Sequence, residues 1–496
     1  MNRKMKVVHA AALFLLLIPG LMLFPGCQGS GGGDLGATIF NAWNSTREWF
    51  IMSGAKDRIE SIRKGDAVIN VVDREGTPVR GARIYYEQTN HEFLFGSNLT
   101  PLAEKGPNSV NEDWADAYVS LFNYGNLPFN WDTYEPLSGQ TREALLTLMA
   151  DWARKRGIAT KGSPLVSAEY VPSWAPMSVG DMQTAQEKRV TNITEKFCGL
   201  VNYWDAVDGA TTGARVNNVV GNWINAQTPQ KVVVDALDWA RSGCARGVMV
   251  INDFRTDTDY RDLLQNVVRQ RGSFDAIGIQ SHMHRGNWPL LQVWDICERF
   301  KDFNVPIHFT EVTVLSGAAR SGIGDSSQPA DWQTTQEGEI VQAAYVEQFY
   351  TLLFSHPSVQ AITWWDFSDL NAWQGAPAGL LRKDMTRKPA YTGLLRLVRD
   401  QWWSRGNIYT DDAGNALLRG FYGSYKLVIE KDQVKLDSSL SLIKGLDNKL
   451  KLQLEHYRQL PPTPLWEQVW PYLVGIAVIV IIALIINWIE KMRRRI

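Results

Sequence analysis

Residues 230–253, QKVVVDALDWARSGCARGVMVIND, contain one unit of the pattern that decides the fold. The first half places apolar side chains at helical spacing, Val233, Leu237 and Ala240 among them. The second half, from Gly247, is a short apolar run that ends on Asn252 and Asp253. The alternation continues in both directions. Towards the N-terminus lie the amphipathic stretch TREALLTLMADWARKRG (141–157) and the apolar runs HEFLFGSNL (91–99), FNYGNLPF (122–129), IATKGSPLV (158–166) and VNYWDAVD (201–208). Towards the C-terminus follow DAIGIQSH (275–282), VPIHFTEV (305–312) and VQAITWWDF (359–367). Eight strands separated by helices over roughly 300 residues predict an α/β fold, a closed (β/α)8 TIM barrel whose working residues lie at the C-terminal ends of the strands.

The flanks are read from composition. Residues 1–27 begin with Arg3, Lys4 and Lys6 and then run apolar from Val7 to Phe24, the layout of a signal peptide or an N-terminal anchor, with Cys27 the candidate acylated residue of a lipoprotein-type site. Residues 28–65, opening on a Gly/Ser-rich stub, are expected as a spacer with a short helix. Alternating apolar and polar residues predict a small antiparallel β lead-in over 66–90 and a C-terminal β extension over 404–440, packed together beside a barrel of 91–403. A charged, helix-prone stretch from Lys444 reads as part of a stalk over 441–470. Residues 471–489 are apolar and long enough for a transmembrane helix, and the basic tail 490–496, with Lys491, Arg493, Arg494 and Arg495, puts that end in the cytoplasm and the barrel on the extracytoplasmic face.

A net charge of −1 over 496 residues argues against nucleic acid as a partner. Cys198, Cys244 and Cys297 have no short metal-ligand spacing, so neither a metal nor a cofactor is expected, and one disulfide among them stays open. The 20 Trp and 16 Tyr suit stacking on sugar faces and equally suit a large core.

The polar residues that close the strands are informative together. Glu311 ends the seventh strand, Gln280 and His282 the sixth, Asn252 and Asp253 the fifth, and Trp364, Trp365 and Trp373 surround the eighth. A carboxylate beside an imidazole and a wall of indoles is what a retaining glycosidase needs, since the nucleophile must be ionised and aligned while the sugar ring is stacked.

From about Gly65 to Gly423 the chain resembles glycoside hydrolase family 10, the xylanase family. The motifs that carry the resemblance stand in family order: WDTYEPLSG (131–139), KGSPLV (161–166), WDAVD (204–208), IND (251–253), IGIQSH (277–282), TEV (310–312), TWWD (363–366), GLL (379–381) and KPAY (388–391). The resemblance implies a nucleophile at Glu311, a histidine at His282 that orients it, and substrate contacts at Gln280, Trp365 and Trp373, with Asn252 and Lys161 counted among the contacts. The family's fourth strand reads Trp-Asp-Val-Val-Asn-Glu, with its Glu as general acid/base. This chain has Trp204-Asp205-Ala206-Val207-Asp208-Gly209, so the acid/base position is occupied by Gly209. Ser163 and Ser167 replace a His and a Trp of the family's cleft, and the second-strand contacts are missing around Gly125 to Asn130. Asp208 is the candidate surrogate acid, and Glu169 a weaker one. Two functions follow. One is a weak retaining hydrolase of β-1,4-xylan or a related polysaccharide; the other is a catalytically inactive, membrane-displayed glycan-binding or scaffold barrel.

Overall fold

The computed structural model describes residues 32–319, 332–458 and 465–493. The chain divides into two compact units, Met1–Gly54 and Ala55–Ile496. The first contains a helix, Gly32–Ser53; the barrel and two further sheets belong to the second. Cys27 and the segment expected as a signal lie outside the described residues.

All eight expected barrel strands are present. They are β3 (Leu94–Asn98), β4 (Tyr124–Pro128), β5 (Ala159–Ser163), β6 (Tyr203–Asp208), β7 (Val248–Asp253), β8 (Ala276–Ile279), β9 (Ile307–Val312) and β10 (Val359–Trp364), and they close in sequence order, β10 pairing with β3. Neighbouring strands are parallel throughout, so helices must return the chain and cover the outer surface. Strands covered on both faces are buried along their length, as β9 is at all six residues.

The barrel interior is layered. Leu94, Tyr124 and Ala361, with Ala159 and Tyr203, fill its N-terminal end. A polar layer of Lys161, Asp205, Asn252 and Thr310 lies above and is fully buried. Asp208, Gln280 and Glu311 stand at the mouth.

Beside the barrel, β1 (Lys64–Asp73) and β2 (Arg83–His91) combine with β11 (Arg405–Tyr409), β12 (Asn415–Phe421), β13 (Gly423–Lys431), β14 (Val434–Leu442) and β15 (Lys449–Leu454). The orders are β12-β1-β15 and β11-β2-β13-β14, and one core joins them, with Ile69, Val71, Ile84, Leu418, Leu427 and Ile429 among its residues. Each such side chain contributes about 1.5–3 kcal/mol on burial. The lead-in was expected as one antiparallel unit, but β1 and β2 lie in different sheets. Each alternates apolar and polar residues, so each needs an opposing sheet on its apolar face, and the intervening turn carries the chain across. The helix-prone stretch also differs: Lys449–Leu454, KLKLQL, has the two-residue period of a strand and pairs in parallel with β1.

Cys198 and Cys244 form a disulfide between the ends of two packed helices, Val179–Lys196 and Pro229–Gly243, while Cys297 is free and buried. One helix among the described residues, Leu465–Arg493, is long and apolar enough to cross a membrane.

Candidate active site

Two irregularities of the sheet build the site. Between β9 and β10 the pairing passes from Phe309↔Ile362 to Val312↔Trp364, so β9 carries an extra residue at Thr310–Glu311. Side chains of adjacent strand residues normally point to opposite faces; a bulge lets both turn inward. The Thr310 hydroxyl accordingly donates to Asn252 Oδ1 at 2.7 Å, while Asn252 Nδ2 donates to Glu311 Oε1 at 2.9 Å. The same shift occurs in β6, between Asp205↔Val250 and Val207↔Ile251. Asp205 and Asp208, three residues apart, therefore both face the centre, and Asn252 Nδ2 lies 3.4 Å from Asp205 Oδ2 and 3.2 Å from Asp208 Oδ1.

One amide thus holds three carboxyl groups together. The second oxygen of Glu311 is 2.9 Å from His282 Nε2. Asp208 Oδ1 also accepts from Gln280 Nε2 at 2.5 Å. Burial first, and then the negative charges of Glu311, Asp205, Glu169 and Asp253, push the Asp208 carboxyl well above the usual carboxylate range. With both of these N–H donors on Oδ1, Oδ2 is left to carry the proton. Beneath them Asp205 Oδ2 accepts from Lys161 Nζ at 2.6 Å and Ser163 Oγ at 2.7 Å. Burial raises its pKa too, against the opposing pull of Lys161.

Gly209 follows Asp208 with φ +65°, and a Cβ built there meets nothing nearer than Thr212 Oγ1 at 3.8 Å. The position is open towards the cleft, but its backbone is one that a side-chain-bearing residue adopts at a cost of about 1–2 kcal/mol.

The cleft at the mouth encloses about 730 Å³ and is lined by Asp208, Gly209, Gln280, His282, Glu311, Trp365 and Trp373, together with Glu169. Trp373 packs against His282, ring centroids 4.6 Å apart, and Trp365 meets the same imidazole edge-on at 5.8 Å. His284 also touches Trp373, and burial, reinforced by His282, lowers its pKa to about 4, so this histidine stays neutral.

Seven of the expected site residues therefore meet in one cleft. Asn252 and Lys161 do not line it. Expected as substrate contacts, both are buried in the layer below, because their strand positions point into the barrel before the mouth opens, and their polar atoms are engaged by carboxylates. Asp253 is turned away, accepting from Thr211 and from the backbone of Arg255 to fix the loop after β7. Tyr170, Asn126, Arg142 and Arg285 also line the cleft and had not been singled out. Tyr170 follows the third barrel strand in SAEYVPSW, and its place after a strand end was the available signal. Burial, and the charge of Asp208 next, raise its phenol pKa, so it remains a neutral hydroxyl.

The profile of glycosyl hydrolase family 10 matches residues 87–397. Among curated proteins the chain is similar to anti-sigma-I factor RsgI6 of Acetivibrio thermocellus, 25% identical over 404 residues, which are 79% of this chain and 48% of that protein. It is also similar to endo-1,4-beta-xylanase 1 of Arabidopsis thaliana, 21% identical over 391 residues, 75% of this chain and 37% of that protein. The chain thus spans half or less of these two relatives. Endo-1,4-beta-xylanase B of Thermotoga neapolitana is 21% identical over 355 residues, 67% of this chain and 96% of that enzyme. Among solved structures, xylanase 10B of Thermotoga petrophila with xylobiose shares the fold at a TM-score of 0.53 and 19% identity, covering 62% of this chain and 95% of its own.

Proposed function

Because this chain belongs to glycosyl hydrolase family 10, we propose that it hydrolyses β-1,4-xylan or a related polysaccharide weakly, by a retaining mechanism, on the extracytoplasmic side of a membrane. The observation that carries this reading is the hold on Glu311: Asn252 on one oxygen and His282 on the other, facing a cleft walled by Trp365 and Trp373. Donors on both oxygens stabilise the ionised, aligned carboxylate that attack on an anomeric carbon requires. Glu311 forms the glycosyl–enzyme ester while the leaving oxygen takes a proton; water then cleaves the ester. Gly209 offers no acid for the first step and no base for the second. Asp208, whose carboxyl is held well above the usual carboxylate range by burial and the charge of Glu311, serves as the substitute, starting one residue early and on a shorter side chain. Asn252 acts as a positioning residue through its direct contacts with Glu311 and Asp208, and Lys161 by way of Asp205.

The Cys198–Cys244 disulfide fits an oxidising compartment, and the helix Leu465–Arg493, followed by basic residues, fits a membrane anchor with its tail in the cytoplasm.

A second reading has its own support. Loss of the acid at Gly209, and similarity to a protein called an anti-sigma-I factor, favour a barrel that binds a glycan at the membrane without turning it over. One experiment separates them. A dinitrophenyl β-xyloside, whose leaving group needs no proton, should give a burst of phenolate and then slow turnover, which azide accelerates with formation of a β-xylosyl azide. Xylo-oligosaccharide binding with neither burst nor azide product selects the binding barrel.

A further inference from the structure

The cleft does not end at the indoles. Beyond Trp365 and Trp373 a second arm of about 340 Å³ continues it, sharing Asn98, Thr100, Glu104, Asn130, Tyr170 and both tryptophans with the first. The two arms differ in charge. In the first, Arg142 and Arg285 stand among the carboxyl groups of Glu169, Asp208 and Glu311, and Glu104 borders both arms. Among the described residues lining the second there is no lysine or arginine, although Glu104 and Asp366 both face it.

Asp366 is in an unusual position for an acid. Its Oδ1 accepts the backbone N–H of Trp373 at 2.9 Å, while Oδ2 is shut from water and has no hydrogen-bond partner. Burial pushes its pKa up to about 7, and Asp369 and Glu311 add to the rise. A carboxylate left without a counter-charge in such a place is costly. A cation entering the arm lowers that cost without touching Oδ2, because charges that are shielded from bulk water interact over several ångströms. Glu104, at the exposed rim, receives long contacts of 3.3 and 3.4 Å from Asn371 Nδ2. The faces of Trp365 and Trp373 attract a cation as well as a sugar ring.

We propose that this second arm is a subsite for a sugar unit carrying an ammonium group, of the 2-amino-2-deoxyhexose type. A neutral sugar uses the amides and indoles; an ammonium also uses Glu104 and Asp366, which no lysine or arginine among the described residues lining the arm neutralises. This deepens the preceding reading and rests on the cleft being a glycan site.

The test is titration calorimetry on the full chain in detergent, at neutral pH, with three β-1,4 tetrasaccharides: of glucosamine, of N-acetylglucosamine and of xylose. The glucosamine oligomer should bind about tenfold more tightly than its N-acetylated counterpart, the size of one or two partly screened charge contacts, and the margin should shrink in high salt. Glu104→Gln and Asp366→Asn should each cut that preference to roughly threefold or less. Glu104 lies at the exposed rim, so its variant reports even if Asp366→Asn fails to fold. Equal binding of the charged and acetylated oligomers, or a preference that survives both substitutions, overturns the subsite while leaving the cleft a glycan site. Failure of all three sugars to bind overturns both readings.

Discussion

The two sides of the cleft mouth preserve different things. On the side of β8, β9 and β10, Glu311, His282, Trp365 and Trp373 form a connected set, and Gln280 beside them reaches across to Asp208. On the side of β4, β5 and β6, small or displaced groups stand instead: Asn126, Ser163, Ser167, and Asp208 with Gly209. In the retaining mechanism proposed above, the first side would serve attack on the anomeric carbon and the second the leaving group. In a two-step mechanism these are separable, so one can persist while the other decays.

The most severe way to break this contrast is Glu311→Ala. All burst and azide-accelerated chemistry on the activated xyloside should vanish to background, by stopped-flow and product analysis; residual burst would place the nucleophile elsewhere. Next in size is Gly209→Glu, which rebuilds the empty side. Hydrolysis of unactivated xylan should rise by on the order of 10²-fold, the low end of what general acid–base help supplies, because the left-handed backbone at this position carries a cost. No gain, with the fold intact by circular dichroism, would mean that the loss of acid is not what limits the rate.

Asn252 links the two sides, so Asn252→Ala tests whether they are coupled. It removes one donor each from Glu311 and Asp208 and the acceptor of the Thr310 hydroxyl, and urea denaturation should show a loss of about 2–3 kcal/mol, together with a shifted pH profile. The smallest effect belongs to Asp208. Its folded pKa lies above the unfolded one, so its stabilising contribution is complete below the unfolded carboxyl value, about 3.9, and is lost as pH rises through the folded value. Asp208→Asn should flatten that dependence and leave the protein at least as stable in alkaline solution. In the native chain, turnover of unactivated substrate should fall over the same rise in pH.

The barrel was legible because its signal is repeated eight times, and Glu311, Gln280 and His282 were legible because each ends a strand with a polar residue of fitting chemistry. What was not legible depended on pairing. No spacing rule places Asp205 and Asp208 on one face, since strand periodicity separates residues three apart; the bulge in β6 reunites them. The same holds for Thr310 beside Glu311. Lys161 and Asn252 read as cleft residues because depth along a barrel strand is not written in the strand itself. Likewise KLKLQL was absorbed into a charged stretch, and only the apolar face of a partner sheet shows why its leucines alternate.

The sandwich has a mechanical consequence. β1 and β15 lie side by side and parallel, from Val68↔Lys449 to Asp73↔Leu454. The chain enters this ladder at the start of β1 and leaves it at the end of β15. A pull between residues 64 and 454 therefore slides the two strands along each other, loading the whole ladder at once, where peeling would break its bonds singly. The barrel lies outside that line of force. Tension between the flanks is carried by a ladder of six paired positions, and the cleft is spared distortion until the ladder gives way.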